Sequence, residues 1–453
     1  MSSATLADHD EAVAVLREEY RALPAGVPVR LVKPTSNLFR PRARHPGAGL
    51  DVRGLNQVLR IDRQARWAEV QGMTTYEDLA DATLAHGLLP AVVLDFKTIT
   101  LGGAVVGLGA ESSSFREGLP HDPVSEMEIL TGDGRVVVAT EDNEHAALFT
   151  GFPHSYASLG YALRMKVDLT PAKPFVRLRH VRFSSADEWT QAMIRVCAAK
   201  QYDGVPVDFM DGVYFAADEV WLTLGTFVDE APYLSDYTGG QVYYRSIRQR
   251  AEDHLTIRDY LWRWDTDMFW TSRLFGLENP VLRRLWPRRA RTSRAQRRLM
   301  MLDRRYGLSS GLNRLRGRRF EWVLQDADLP AGAVAPFMEF FDREIGIKPA
   351  WLCPMVMRRE LSLYPMPVDE PYVSVGFWWP VPLRRDQAPD HHNRLIEREI
   401  AALGGHKPLY STTHYDEDEF ARYYCGDTYR ELKERYDPEQ RLPSLYDKCV
   451  RGR

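Results

Sequence analysis

Between Thr98 and Gly134 the chain reads TITLGGAVVGLGAESSSFREGLPHDPVSEMEILTGDG, its densest run of glycines and small hydroxyl residues. Such a run suits tight turns and close approach of backbone N–H groups to a ligand. Gly102-Gly103 and Gly107-Leu108-Gly109 do not make the GxGxxG dinucleotide fingerprint, and no helix-forming sequence is expected to follow them. A GxxxxGK[ST] phosphate loop is absent as well. Two readings remain at this level: a cradle for a diphosphate, or a glycine-rich turn in an ordinary sheet.

The flanks read as a sheet. Val29–Val32, Gln57–Asp62, Trp67–Gln71 and Tyr161–Leu169 are predicted strands. Glu126–Leu130 and Arg135–Ala139 are predicted to pair around Thr131-Gly132-Asp133-Gly134. Thr74–His86 is a predicted helix, N-capped by Thr74 or Thr75 and closed by Gly87. After Pro174 the texture changes to longer helices and many tryptophans, with Phe175–Phe183 and Tyr372–Trp379 as strands and Glu417–Tyr436 as a helix. No run of about 18 apolar residues occurs, so no membrane-spanning helix is expected. The first 20 residues have neither the basic start nor the apolar centre of a signal peptide. Cys197, Cys353, Cys425 and Cys449 lie far apart without a CxxC pair, which fits a reducing cytosol. His391-His392 reads as a solvated pair, and no metal site is expected.

A Gly-Gly pair, a Ser cluster, a further Gly, Asp-x-Val and an acidic Gly hairpin together resemble the PCMH-type FAD-binding domain of the vanillyl-alcohol-oxidase superfamily. The delta(24)-sterol reductase (diminuto/seladin) branch is the nearer match. The residues that carry it are Leu101-Gly102-Gly103, Gly109–Ser114, Gly118-Leu119, Ser158-Leu159-Gly160, Asp267–Trp270, Trp351–Pro354 and Pro443–Lys448. The resemblance implies an α+β, two-lobed flavoprotein. Residues 1–173 would be the FAD domain, 174–420 a substrate domain with an antiparallel sheet and helices, and 421–453 a helical return to the first lobe. Thr100, Leu101, Gly102, Gly103, Gly109, Ala110, Glu111, Ser112, Ser113 and Ser114 would line the diphosphate and flavin edge. Gly118, Asp122 and Val124 would follow the cofactor, and Gly160 would sit near the adenine. Thr35, Ser36 and Asn37 occupy the place of the first diphosphate loop. That loop has no His before His45, and no Cys precedes Cys197, so FAD is expected to be held non-covalently.

The relatives so implied reduce an isolated carbon–carbon double bond in a lipid. Such a bond has no carbonyl to polarise it. The site must supply an acid, an apolar tunnel and electron-rich rings to face a developing cation. Trp262, Trp264, Phe269, Trp270 and Trp378 are the candidate rings. Glu111, Tyr410 and His414 are the candidate acids, and for Glu111 a structural role as acceptor for backbone N–H groups is the competing reading. NADPH is the expected electron donor. The preferred substrate is a 10-methylene-branched fatty acyl chain of a phospholipid, reduced to the 10-methyl chain, with a lipid methyltransferase acting before it. Alternatives are a sterol side chain, or a sugar or aldonolactone oxidised by the same fold.

Charge is distributed unevenly. Arg283–Arg319 holds fourteen arginines, no lysine and one acid, Asp303, so it carries +13 within a chain of net −3. Nine lysines against fifty arginines point to a GC-rich, bacterial genome. Trp286 and the run Leu299–Leu302 interleave with the arginines. This suits a peripheral contact with the anionic inner face of a cell membrane. A pyrophosphate clamp for NADPH and a plain solvated face are the competing readings. Nucleic acid is not expected, because no recognition fold accompanies the basic run.

Overall fold

Apart from a two-stranded parallel pair, Arg30–Val32 with Gly49–Asp51, the period-two alternation of the first 170 residues builds one antiparallel sheet. Its order is Val58–Asp62, Trp67–Gln71, Gly160–Pro171, Val124–Thr131 and Val136–Ala139. Leu88–Pro90 pairs with the far end of Gly160–Pro171. We describe a computed structural model covering residues 5–24, 26–33, 38–40, 49–239, 241–306 and 319–452. The helix Tyr76–Leu84 begins where the Thr75 side chain accepts the Asp78 N–H, and Gly87 follows it at φ +71°. Ala68, Val70, Ile129 and Met165 are fully buried beneath it and its neighbours.

At residues 172–174 the chain passes from this sheet to a second. Seven strands run there in the order Glu252–Thr256, Phe175–Phe183, Glu219–Val228, Phe209–Ala216, Ala350–Val356, Pro371–Leu383 and Arg319–Pro330, all antiparallel. One face is apolar and is covered by the helices Ala186–Ala199, Val334–Glu344 and His391–Ala402 through Trp189, Phe337, Phe341, Ile396 and Ile400. The alternate residues of the same strands face the first lobe. The fold is therefore the two-lobed α+β arrangement that the resemblance implies.

The C-terminal segment returns to the first lobe. It differs from the single helix read over Glu417–Tyr436. Two helices, Glu417–Tyr423 and Gly426–Tyr436, meet at Cys425, which takes φ +51°. The Lys433 ammonium donates to the Ser158 carbonyl at 2.8 Å and the Leu442 carbonyl at 2.7 Å, and pairs with Asp437. His392 also departs from expectation. It is buried, and its Nδ1 lies 2.8 Å from Glu321 Oε2. Among the described residues no three His, Cys, Asp or Glu side chains converge as a metal site.

Candidate active site

The glycine pair does open a helix, contrary to the reading that none would follow. Leu101–Gly107 is a short helix whose N-cap, Thr100, accepts the Gly103 N–H at 3.2 Å. Each interior glycine costs about 1 kcal/mol against alanine, so propensity conceals this helix. Packing on the sheet pays that cost. Leu101, Gly102 and Val105 are buried against it, and a Cβ on Gly102 would stand 2.8 Å from the Gly72 carbonyl oxygen. Thr100, Gly103, Ala104 and Gly107 recur at i, i+3, i+4 and i+7 and line a cleft.

The cleft lies between the lobes and encloses about 1420 Å³, its open mouth included. Its second wall comes from the inner face of the seven-stranded sheet. Asp326 lies opposite Gly376 and Asp328 opposite Ser374 in register, with Trp351, Met355 and Trp378 beside them. Phe39, Tyr410, Phe269 and Trp270 also line it. Phe269 packs edge-on to Trp378 with centroids 5.0 Å apart and lies 5.1 Å from Trp351. Met268, Phe269 and Trp270 take φ +46°, +50° and +59°. Three consecutive left-handed side-chain-bearing residues store about 1–3 kcal/mol each, a feature that concentrates at functional sites.

Two groups of acids border the cleft. The Tyr410 hydroxyl donates to Asp326 Oδ1 at 2.9 Å and accepts from Trp378 Nε1 at 3.0 Å. Burial, and then the charge of Asp328, push the Asp326 carboxyl up to about 7. Asp328, which accepts the Tyr364 hydroxyl at 2.7 Å, is raised by burial to about 6. In the second group Glu111 Oε1 accepts the Asp95 N–H at 2.7 Å. Burial and the neighbouring Asp95 raise Glu111 well above the usual range, and burial lifts Asp95 to about 7 despite Arg263 at 3.7 Å. Arg263 is itself buried and holds Asp211 at 2.7 Å.

Residues 4–140 match the family described as FAD binding domain. Over 417 residues the chain is 23% identical to the delta(24)-sterol reductase of Homo sapiens, covering 88% of this chain and 77% of that one. It is 24% identical over 453 residues to the Arabidopsis thaliana enzyme of that name, covering 92% and 79%. The Pisum sativum enzyme is 25% identical over 459 residues, covering 92% and 78%. The chain is an FAD-dependent oxidoreductase with a PCMH-type FAD-binding domain.

The cleft of this flavoprotein fits the cofactor. A Cβ on Gly103 would project into the cleft and meet only Thr100 Oγ1, at 3.0 Å, so the helix offers bare backbone there. Thr100, Gly103, Gly109, Ala110 and Glu111 all line it, together with Ala104 and Gly107. Among the described lining residues none is His or Cys.

Other residues named from the sequence are placed elsewhere. Leu101 and Gly102 face the sheet. Ser112 Oγ pairs with the Tyr260 hydroxyl at 2.9 Å, Ser113 Oγ donates to the Ala91 carbonyl at 2.8 Å, and Ser114 Oγ accepts the Glu111 N–H at 3.0 Å. Asp122 accepts the Leu119 and Arg358 N–H groups, and a Cβ on Gly118 would overlap Asp122. Val124 is buried in its strand, and a Cβ on Gly160 would run into Ile129 and Leu130. Thr35, Ser36, Asn37 and His45 lie outside the described residues. Of the rings, Phe269, Trp270 and Trp378 line the cleft. Trp264 stacks behind Phe269 at 4.8 Å, and Trp262 lies outside the lining, within 5.8 Å of the Lys97 ammonium. His414 sits away from the cleft, 3.4 Å from Asp390 and with its N–H on Glu397.

Asp326, Asp328, Asp95 and Phe96 join the site without having been singled out, and Trp351, named only among the residues that carry the resemblance, joins them. The two aspartates had a legible signal. Carboxylates at i and i+2 in Phe320–Leu329, a strand-like apolar run, fall on one face.

Proposed function

We propose that this flavoprotein reduces an isolated carbon–carbon double bond of a lipid, taking electrons from NADPH. The kinship with delta(24)-sterol reductases supports the reaction class. One observation carries the reading: the rings of Phe96, Phe269, Trp351 and Trp378 line the same cleft as the Asp326 carboxyl, which is held by Tyr410. Bound and reduced, FAD supplies a hydride.

The chain's own residues supply the rest. Asp326, raised to about 7, carries a proton into the neutral range while remaining a far stronger acid than the Tyr410 phenol, which is pushed well above 10. It gives that proton to the less substituted alkene carbon, leaving positive charge on the more substituted one. The faces of Phe269, Trp351 and Trp378 stabilise this charge, by about 2 kcal/mol for a desolvated ring. The apolar wall keeps water from trapping the cation. A proton from solvent restores Asp326. Tyr410 and Trp378 fix the carboxyl's orientation.

The preferred substrate is a 10-methylene-branched acyl chain of a phospholipid, whose protonation gives a tertiary cation, and a sterol side chain is second. A sugar or aldonolactone needs many hydrogen-bonding partners, and the aromatic side of this cleft offers few. The test is lipid mass spectrometry of cells with and without the protein, alongside NADPH bleaching of the purified flavin. Accumulated methylene lipid in cells lacking the protein supports the reading. An unchanged lipid profile with a flavin that NADPH leaves oxidised overturns it.

A further inference from the structure

The arginine-rich segment divides into two populations. Arg283 and Arg291 are buried and structural. Arg283 donates to the Gly239 carbonyl at 3.0 Å and the Tyr237 carbonyl at 3.1 Å, and Arg291 donates to the Gly239 and Thr238 carbonyls. Arg284, Arg288, Arg294 and Arg298 are exposed. Only Arg288 among these four has an acid, Asp236, within an ion-pair distance in the described structure, at 3.1 Å.

Large apolar side chains are exposed on the same elements. In the helix Pro280–Leu285, Val281 is 66% and Leu285 76% exposed, and Leu282 is exposed beside them. The helix Ser293–Tyr306 turns Ser293 and Gln296 inward, where they bond Asp265 and the Thr266 carbonyl. Arg294, Arg298 and Leu302 then share its outer face at i, i+4 and i+8. Water alone would not favour three adjacent exposed aliphatic side chains on a segment that also exposes Arg284 and Arg288. A bilayer surface satisfies both, with phosphates for the guanidinium groups and an apolar layer just below for the leucines.

We propose that the face formed by Pro280–Leu285 and the outer side of Ser293–Tyr306 docks on an anionic phospholipid bilayer. Charge complementarity selects this occupant, since exposed cations beside exposed aliphatic side chains are drawn to the anionic headgroups of a bilayer. The segment is coupled to the cleft: Ser293, Gln296 and Arg283 bond the loop Asp265-Thr266 that leads into Phe269 and Trp270. Docking therefore sets the cleft-lining loop close to the membrane. The docking face is the same whether or not the lipid is also the substrate.

The experiment is co-sedimentation of the FAD-loaded protein with vesicles of phosphatidylcholine alone or with one-third phosphatidylglycerol. Binding is expected only to the second, falling about 10-fold as salt is raised to 0.5 M, where screening shortens to a few ångströms. R284Q/R294Q/R298Q and, separately, V281S/L285S should each lose most of that binding with flavin content unchanged. R284K/R294K/R298K should retain it, which separates charge from misfolding. Equal binding to both vesicle types overturns the proposal. So does unaltered binding of the Gln variant, whether alone or with a raised KM for NADPH, the result a nucleotide clamp would give.

Discussion

The hydroxyl of Tyr410 donates to Asp326 Oδ1 across 2.9 Å, joining residues 84 positions apart at the wall of the cleft. That bond favours the ionised carboxylate and so restrains a carboxyl that burial and Asp328 drive upward, to about 7. An acid with this setting can hold a proton near neutrality, on a wall it shares with Trp351, Met355, Trp378 and Asp328.

Asp326→Asn should lower kcat by about 10²-fold or more, the range for loss of a positioned acid. Flavin content should be unchanged. Because the folded carboxyl titrates above its unfolded value of about 3.9, the stability it gives is full at low pH and is lost as pH rises to about 7. The Asn variant should therefore gain stability relative to the parent across that window. Thermal melts at pH 4.5 and 8 check the sign, and a parallel pH response in both proteins would refute it.

Tyr410→Phe removes a hydrogen bond that lowers the Asp326 pKa. The alkaline limb of kcat against pH should move upward, with kcat at pH 7 falling about 10-fold from lost positioning. A limb that stays in place would show that another group is titrating.

Gly102 and Gly103 should behave differently although adjacent. Gly103→Val places a branched side chain in the open cleft, so the protein should fold and emerge colourless. Gly102→Ala drives a Cβ against the Gly72 carbonyl, and destabilisation of about 1–3 kcal/mol is expected, read as a lower Tm. A fully yellow Gly103→Val protein would place the cofactor elsewhere.

FAD should be released into the supernatant on acid precipitation of the purified protein. The described cleft lining offers neither His nor Cys for attachment. A yellow pellet would contradict this.

Arg263→Ala should be far more damaging than loss of any exposed arginine. It leaves Asp211 and Asp95 buried without their cation, at a cost of about 3–5 kcal/mol. Chemical denaturation compared with Arg284→Gln measures the contrast.

The sequence by itself determined the sheet of the first lobe, since alternation in Trp67–Gln71 and Tyr161–Leu169 is a local property of a half-buried strand. It marked the glycine-rich segment as a candidate ligand cradle, with an ordinary glycine-rich turn left open beside it. It could not show that Gly102 serves the sheet while Gly103 serves the cleft, as both read as the same letter. Nor could it sort Arg283 and Arg291 from their exposed neighbours, or choose among Glu111, Tyr410 and His414. Those outcomes depend on which groups are carried out of water and what they meet there. The Asp326 carboxyl is pushed upward by burial and by Asp328, and is oriented by Tyr410, on a segment separated from it by two strands and two helices. Desolvation and partners at long sequence separation exist only once the second sheet has closed over the first lobe.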